Sequence, residues 1–327
     1  MEREKYYPEG KLYLTPQNKY FIRDLTTLSQ AYAENLTLEA VAIACDLDHN
    51  LIVDLNGIRG IIPRSEGAYS IDDTEVKDIA IISKVNKPVC FKIKNFDKTS
   101  SGEDIVYLSR KMAQKECIDN YIKKLISGDV IEGRVTHLDN FGCFVDIGRG
   151  YSSLLPIDSI SISRISHPRD RFKTNCDIYV VVKGIDDFGR IILTHKELLG
   201  TWEQNATAFL AGETVSGIIR SIEEYGIFIE LLPNLAGLAE LVETAKIGQK
   251  SSVYIKSLIA QKMKIKLVCV DHFDDDKLTI KTCGLASGCF KYYLDGMKKS
   301  TNSLIIGHID KWIYSPENCI KTIQTVF

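Results

Sequence analysis

The 327-residue chain has almost no net charge, since 41 Lys and Arg residues face 43 Asp and Glu residues and the formal balance is −2. This balance excludes a general electrostatic attraction to nucleic acid, so any such binding has to rest on local basic patches. The chain also lacks an apolar run near the ~18 residues of a membrane span. Its N-terminus, MEREKYYPEGKLYL, lacks the apolar core of a signal peptide. We therefore expect a cytoplasmic protein with no membrane partner.

Paired cysteines and recognisable catalytic motifs are missing as well. The nine cysteines are odd in number, scattered and without a C-x-x-C pair. This pattern argues against a disulfide framework and a zinc site, and it fits a reducing compartment. The sequence has no glycine-rich phosphate loop, no H-E-x-x-H motif and no Ser/His/Asp set in a recognisable context. We expect a protein that is not an enzyme and holds no metal or cofactor.

What the chain does contain is an internal repeat. Residues 128–157, GDVIEGRVTHLDNFGCFVDIGRGYSSLLPI, align without a gap with residues 212–241, GETVSGIIRSIEEYGIFIELLPNLAGLAEL. A third and weaker copy begins near residue 38. Repetition of a long pattern indicates tandem domains of one kind.

Each copy predicts a set of short strands. In the second copy these strands are expected at roughly 129–138, 141–148, 152–156, 176–186 and 189–195. A glycine inside the second strand is typical of the sharp bend at a barrel corner. Five such strands in about seventy residues predict a small closed barrel of the OB type.

The predicted fold class is all-β, with tandem five-stranded OB-type barrels joined by short linker helices. The domain plan begins with an N-terminal arm (1–37), a degenerate barrel (38–111) and a linker helix (112–127). A second barrel (128–196), a linker (197–211), a third barrel (212–283) and a C-terminal extension (284–327) follow. In the arm, Pro16 is expected to break early structure, and a short helix is expected from Thr26 to Asn35.

Two segments, GDVIEGRVTHLDNFGCFVDIG and DIYVVVKGIDDFGRIILTHK, resemble the S1 RNA-binding domain, an OB barrel that is repeated in a ribosomal protein of the bacterial small subunit. The resemblance is strong over the second copy, good over the third and weak over 38–111. It implies that RNA lies across one barrel face, against two strand aromatics, a basic or His residue on the third strand, and an Asp and an Arg near the last hairpin. The matching residues are Phe141, Phe144, Asp186 and Arg190 in the second copy, and Tyr225, Phe228, Asp271 and Lys277 in the third.

The paired aromatics suit RNA for a physical reason. An exposed ring is a stacking platform worth ~1–3 kcal/mol per base, and it tolerates any base because every base has a π-face. Phe141 and Phe144 are three residues apart and would face opposite sides of a regular strand, so the bend at Gly142 has to bring them together. The alternatives are that one ring of each pair is a core residue, and that Arg190 forms only a surface ion pair with Asp186 or its neighbour.

Two local basic patches add to this interpretation. A loop of the second copy, SRISHPRDRFK (163–173), contains Arg164, His167, Arg169 and Arg171. In the third copy, Lys262, Lys264 and Lys266 alternate with apolar residues, which predicts a strand face made of lysine. The alternative for both patches is a solvated charged surface that prevents edge-to-edge aggregation.

The first copy lacks the binding set, because His49 and Ile52 replace the two aromatics and Ile105 stands in the place of Arg190. We expect this copy to contact protein, with the ribosomal small subunit as the candidate partner, or to space the other two. The sequence as a whole predicts single-stranded RNA binding, with mRNA as the partner, in translation at or near the ribosome. The alternative is a protein-interaction scaffold or a regulatory RNA-binding subunit of an RNA-processing or RNA-degrading complex.

Overall fold

The computed structural model describes residues 6–70, 77–187 and 189–274 and the backbone of 305–308. In these residues the chain forms three closed barrels of five strands each. The predicted all-β class with tandem five-stranded barrels is therefore confirmed. The described residues divide into two compact units, the first made of 6–125 and 146–152, the second of 126–145, 153–274 and 305–308.

All three barrels have the same strand order, in which the third strand pairs in parallel with the fifth and the first closes against the fourth. Barrel 1 contains β1 (Leu38–Cys45), β2 (Leu51–Leu55), β3 (Ile58–Ile62), β4 (Lys87–Lys98) and β5 (Asp104–Ser109). Barrel 2 contains β6 (Asp129–Asp139), β7 (Gly142–Asp146), β8 (Ser152–Pro156), β9 (Asp177–Ile185) and β10 (Ile191–Thr194). Barrel 3 contains β11 (Thr214–Glu223), β12 (Gly226–Leu232), β13 (Leu235–Ala239), β14 (Lys250–Ile259) and β15 (Lys264–Phe273).

Part of the C-terminal extension also forms a strand. β16 (Ile305–His308) pairs antiparallel with the first half of β6, with Ile305 opposite Ile131 and His308 opposite Asp129. The first half of β6 uses its other edge for β9. β16 therefore covers a strand edge that would otherwise present unpaired backbone groups.

The barrel interiors are filled by the alternate side chains of each strand, as the period of two requires. In barrel 3, Ile219, Ile229 and Ile255 are fully buried and belong to one core. Barrel 1 receives further apolar side chains from the N-terminal arm, because Phe21 and Leu28 pack into its core. The arm thus completes the core of the first unit.

In the part of the chain that the structure describes, five short helices connect or flank the strands. They are α1 (Pro16–Phe21), α2 (Leu25–Ala33), α3 (Asp78–Ile82), α4 (Arg110–Asn120) and α5 (Trp202–Ala206). Contrary to the expectation for the arm, Pro16 starts a helix instead of breaking structure. The Thr15 hydroxyl caps α1 by accepting the Asn18 N–H at 3.2 Å, and proline suits the first helical turn because no partner is needed there for its missing N–H.

The helix that follows barrel 1 is shorter than the sequence predicts. The backbone leaves the helical conformation at Tyr121, with φ −128° and ψ −61°, and a 3-10 turn follows at Ile122–Lys124. The Tyr121 ring is buried and stacks on Tyr6 with the ring centroids 5.6 Å apart. This stacking contact accompanies the early end of α4.

A buried ion cluster around Glu9 holds the arm in the first unit. The Arg110 guanidinium donates to the two carboxylate oxygens of Glu9 at 2.6 and 3.0 Å, and Lys84 Nζ donates to one of them at 2.8 Å. Burial acts to raise the pKa of Glu9, but the two cations outweigh it and hold that pKa well below its usual value. The Glu9 N–H donates to Asp146 at 2.8 Å, and burial raises the pKa of that second carboxyl.

Glu39 on β1 is a second buried acid of this unit. Its carboxylate accepts the Tyr13 N–H at 2.8 Å and the Gly10 N–H at 3.0 Å. Burial raises the pKa of Glu39 to about 7, since it outweighs the opposite effect of these two donors. The side chain therefore ties the arm to β1 and titrates close to neutral pH.

We predict that Glu39→Gln flattens the pH dependence of stability between about pH 4.5 and pH 7. A carboxyl with a raised folded pKa keeps a proton that the unfolded chain has released, so the free energy of unfolding falls as pH rises through this window. The glutamine cannot titrate, and the difference between variant and native chain should shift in favour of the variant by on the order of 2 kcal/mol. Urea unfolding followed by circular dichroism at several pH values measures this.

The matched control for this test is Glu103→Gln, which changes an exposed acid of barrel 1. It accounts for the general effect of removing one carboxylate from this barrel. A Glu39→Gln variant with the same pH dependence as the control would show that Glu39 ionises normally in the folded chain.

Candidate nucleic-acid interface

In barrel 2, the hairpin between β6 and β7 places two phenylalanine rings side by side on the outer surface. Phe141 is 55% exposed, and Phe144 is half-buried and outside the core. Their ring centroids are 6.1 Å apart and the ring planes are nearly perpendicular, at 85°. The two rings thus lie together, as the sequence-based interpretation requires, and they form an open aromatic surface.

Gly142 makes this arrangement possible. It is the first residue of β7, and a Cβ at this position would lie 2.5 Å from the carbonyl oxygen of Leu155 on β8. The Phe141 carbonyl, just before the glycine, accepts the Ile157 N–H at 3.0 Å. The absence of a side chain lets the two strands approach, and the bent backbone turns Phe141 toward Phe144.

Barrel 3 repeats this geometry. Tyr225 is 56% exposed, Phe228 is half-buried, and their ring centroids are 6.2 Å apart with an interplanar angle of 89°. A Cβ at Gly226 would lie 2.4 Å from the carbonyl oxygen of Ala239. Two barrels of different sequence therefore present two rings in the same arrangement, and in both a glycine allows the second and third strands to approach closely.

A third ring in barrel 2 was not assigned to the site from the sequence. His137 on β6 has 65% of its side chain exposed and lies 6.4 Å from Phe144, centroid to centroid. Its Nε2 is 3.3 Å from a carboxylate oxygen of Asp139. The repeat gave no signal for this residue, because its counterpart in the third copy is Ser221, and only the structure shows that Ser221 pairs with Phe228.

The other two predicted residues of barrel 2 lie in the β9–β10 hairpin. Asp186 accepts both the Arg190 N–H at 2.8 Å and Arg190 Nε at 3.0 Å. The ion pair that was the alternative interpretation for Arg190 is thus present. With 63% of its side chain exposed, Arg190 can also reach an external ligand.

In barrel 3 the strand register corrects the predicted hairpin residues. Arg190 lies two residues before Ile192, which pairs with Leu154. In barrel 3, Leu238 is the equivalent of Leu154 and pairs with Lys266, so Lys266 is the equivalent of Ile192. The residue two positions before Lys266 is Lys264, which therefore occupies the place of Arg190. The physical reason is that the loop before the fourth strand spans only 240–249, against 157–176 in barrel 2, which moves the last hairpin toward the N-terminus.

Asp271, which the sequence placed in that hairpin, lies near the end of β15 opposite Ser252. It is exposed, and its carboxylate accepts the His272 N–H at 2.8 Å. Lys277 lies outside the described residues. The correspondence of Asp271 with Asp186 is therefore wrong.

The three lysines of barrel 3 do not share one strand face, which corrects the second basic patch. Lys262 ends a 3-10 turn, and β15 begins only at Lys264, after Met263 in the left-handed conformation. Lys264 and Lys266 do point outward, alternating with the buried Ile265 and Leu267. The register places Phe228 opposite Leu238 and Leu238 opposite Lys266, so an ammonium lies two strands, or about 10 Å, from the aromatic pair.

The loop of the first basic patch serves more than one purpose. Arg164 is 83% exposed, Arg169 is exposed, and the ring of His167 accepts the Arg169 N–H at 3.0 Å. Arg171, in contrast, is 5% exposed and donates to Glu230 of barrel 3 at 2.5 Å. The structure therefore places Arg171 in a contact between barrels 2 and 3, where RNA has no access to it.

That contact forms a polar joint within the second unit. Glu230 binds both Arg171 and Arg220, and Arg220 also lies 3.5 Å from Asp170. Nearby, the Asn234 side chain accepts the N–H of residue 162 at 3.0 Å and donates to the carbonyls of residues 196 and 200. The linker and the loop are both bound to the edge of barrel 3 in this way.

Barrel 1 has no aromatic pair at the equivalent hairpin. The register aligns Ala44, Ile52, Ile61 and Tyr107 across neighbouring strands of its outer surface. His49, in the place of Phe141, lies 3.6 Å from the Asp78 carboxylate. This surface carries mostly apolar side chains where barrels 2 and 3 carry their perpendicular ring pairs.

Within residues 6–70, 77–187 and 189–274, no group of three or more His, Cys, Asp or Glu side chains could hold a metal ion. In the described part of the chain, no helix combines the length and the apolar character needed to cross a membrane.

A tandem array of OB-type barrels with paired surface aromatics is the class of protein that this structure defines. The family model of the S1 RNA binding domain matches residues 124–196. Small ribosomal subunit protein bS1 of Leuconostoc lactis is 30% identical over 268 residues, which cover 80% of this chain and 59% of the relative. The bS1 homolog of Bacillus cereus is 31% identical over 248 residues, which cover 70% and 62%.

Barrel 2 is therefore an S1 RNA binding domain. The protein is an S1-type repeat protein, and most of this chain is similar to bS1. The chain spans about three fifths of the length of these two relatives. A solved multidomain protein with nucleic acid binding domains from Streptococcus pneumoniae covers 74% of this chain and 76% of its own, at 13% identity and a TM-score of 0.24.

We predict that Gly142→Ala destabilises the second unit and disrupts the aromatic pair. The added methyl group collides with the Leu155 carbonyl, and overpacking of this kind costs roughly 1–3 kcal/mol. Gly184→Ala on β9 is the matched control, because nothing lies within 4 Å of the Cβ it would add. Denaturant unfolding of both variants measures the difference, and equal stability would show that β7 and β8 can separate at no cost.

Proposed function

We infer that the protein binds single-stranded RNA through barrels 2 and 3 and acts in translation, at or near the ribosome in the cytoplasm, with mRNA as its ligand. The observation that carries this proposal is the repetition of one exposed aromatic pair, with centroid distances of 6.1 and 6.2 Å, on two barrels. Surface rings are otherwise costly to leave in water, and their duplication at one repeat position favours a shared ligand.

The chemistry of these surfaces fits unpaired nucleotides. A base can stack on Phe141 or Tyr225, while Arg190, Lys264 and Lys266 supply cations for the phosphates on the neighbouring strands. Neither stacking nor phosphate contact distinguishes bases well, so binding is broad in sequence. The proposed activity is binding and positioning of RNA, without a chemical step.

Barrel 1 has a different role in this proposal. Its outer row of Ile52, Ile61 and Tyr107 suits a protein surface better than a polyanion, and the ribosomal small subunit is the proposed partner. The names of the two bS1 relatives, which place those proteins in the small ribosomal subunit, support this link.

The double variant Phe141→Ala/Arg190→Ala should bind an unstructured RNA more weakly by roughly 2–4 kcal/mol, from the loss of a stacking surface and a charged contact. Both side chains are mostly exposed, so the fold should survive, as circular dichroism can check. Leu47→Ala, which removes a 99% exposed apolar side chain from barrel 1, is the control and should leave the affinity unchanged. A folded double variant with native affinity would exclude barrel 2 as an RNA site.

Single-stranded RNA should bind at least about tenfold more tightly than a duplex of the same sequence, because a paired base cannot lie flat on Phe141 or Tyr225. An RNA that spans both barrels should bind more tightly than one that covers a single barrel. Competition assays with duplex, short and long oligomers measure both effects. A preference for duplex, or no gain with length, would contradict the two-barrel proposal.

The salt dependence separates this proposal from the scaffold alternative. Affinity for RNA has to fall steeply with ionic strength because phosphate binding releases counterions. Docking of a protein partner on apolar surfaces does not share this dependence. A pull-down from cell lysate with and without RNase would show whether partners are held through RNA.

A further inference from the structure

The loop that barrel 2 inserts between β8 and β9 lies beside the aromatic pair of barrel 3. The β11–β12 register pairs Ile218 with Glu230, Ser221 with Phe228, and Glu223 with Gly226, and these pairs are alternate cross-strand rows of the hairpin. Phe228 is therefore in the middle row of the three, and Tyr225 is the residue just before Gly226 of the last row. Any segment that binds both outer rows borders the aromatic pair.

The loop contacts both outer rows. Arg171 is buried on Glu230, which is two residues from Phe228 on the same strand and about 7 Å from it. Arg164 approaches Glu223 to 4.0 Å. The two contacts thus lie on either side of the Phe228 row.

The two arginines differ in what they can still bind. Arg171 is buried with its carboxylate partner, whereas Arg164 keeps 83% of its side chain exposed. The backbone on the N-terminal side of Arg164 is fixed, because the Ser163 N–H donates to the carbonyl of Pro233 at 3.1 Å. An arginine with an anchored backbone and an exposed guanidinium is suited to binding a phosphate beside a stacked base.

We propose that the barrel 2 loop is part of the RNA site of barrel 3, with Arg164 contacting a phosphate next to the base stacked on Tyr225 and Phe228. This rests on the proposed RNA binding and specifies which barrel the basic loop serves. Barrel 3 then has cations on both sides of its aromatic pair, since Lys266 lies beyond the pair on β15. The site is composite, and its two parts come from different repeats.

The test is a set of affinities measured with the full chain and a labelled oligouridylate of about twelve nucleotides, a length within the site size of one barrel. Arg164→Ala is introduced alone, with Phe141→Ala/Phe144→Ala and with Tyr225→Ala/Phe228→Ala. With barrel 2 disabled, removal of Arg164 should weaken binding roughly threefold to tenfold and lower the slope of log affinity against log salt by about 1. With barrel 3 disabled, its removal should change affinity less than about twofold.

Two controls accompany this set. Lys115→Ala removes one exposed cation from α4 and should have no effect in any background, which accounts for a general loss of charge. Arg164→Lys keeps the charge and should restore most of the salt slope. Circular dichroism melts verify that each variant is folded.

The outcomes separate the two proposals. An Arg164 effect that appears only when barrel 3 is disabled would assign the loop to barrel 2. An effect that is absent, or equal in both backgrounds, would also overturn the composite site while the aromatic variants still weaken binding. If neither aromatic variant changes the affinity, the proposed function itself fails and the composite site fails with it.

Discussion

The second unit depends on one buried carboxylate, Glu230, and on the two arginines that hold it. Removing charges from water costs several kcal/mol per ion, and such a cluster is favourable only when every member is paired. Arg220 comes from barrel 3 itself, whereas Arg171 comes from barrel 2. The electrostatic need of one barrel is thus met only when the other is in place. This dependence fixes how barrels 2 and 3, and the aromatic pair on each of them, are placed relative to one another.

The same repeat position carries an acid in all three barrels, with three different solutions. In barrel 1, Asp54 is exposed and accepts the Gly57 N–H at 2.8 Å. Asp146 is buried and satisfied by backbone donors, among them Gly148 and Gly150. Glu230 is buried against guanidinium groups. A polar position at the end of the second strand can therefore be used as a turn residue, a backbone anchor or an ion-pair centre, depending on what packs over it.

The sequence predicts much of this structure where the information is local. The ungapped repeat reveals the barrels, and the aromatic–Gly–x–Phe pattern identifies the ring pairs, because both rings and the glycine between them lie within four residues of sequence. Features that depend on residues far apart in the sequence could not be predicted in this way. The burial of Arg171 depends on a partner 59 residues away, and the displaced hairpin of barrel 3 depends on the length of a loop that the repeat does not contain. The early end of α4 likewise accompanies a stacking partner, Tyr6, from the opposite end of the unit.

The polar joint between barrels 2 and 3 also requires a fixed order of these barrels along the chain. A barrel that is held in this way needs an upstream neighbour with a long loop that carries an arginine at its end. Barrel 3 does not offer such a loop to a successor, because its own segment 240–249 is short and contains Lys246 as its one basic residue. A following module could not be attached by the same device. Shuffling or duplicating the barrels as interchangeable cassettes would therefore separate Glu230 from half of its counter-charge, so the order of the repeats is itself a stability determinant.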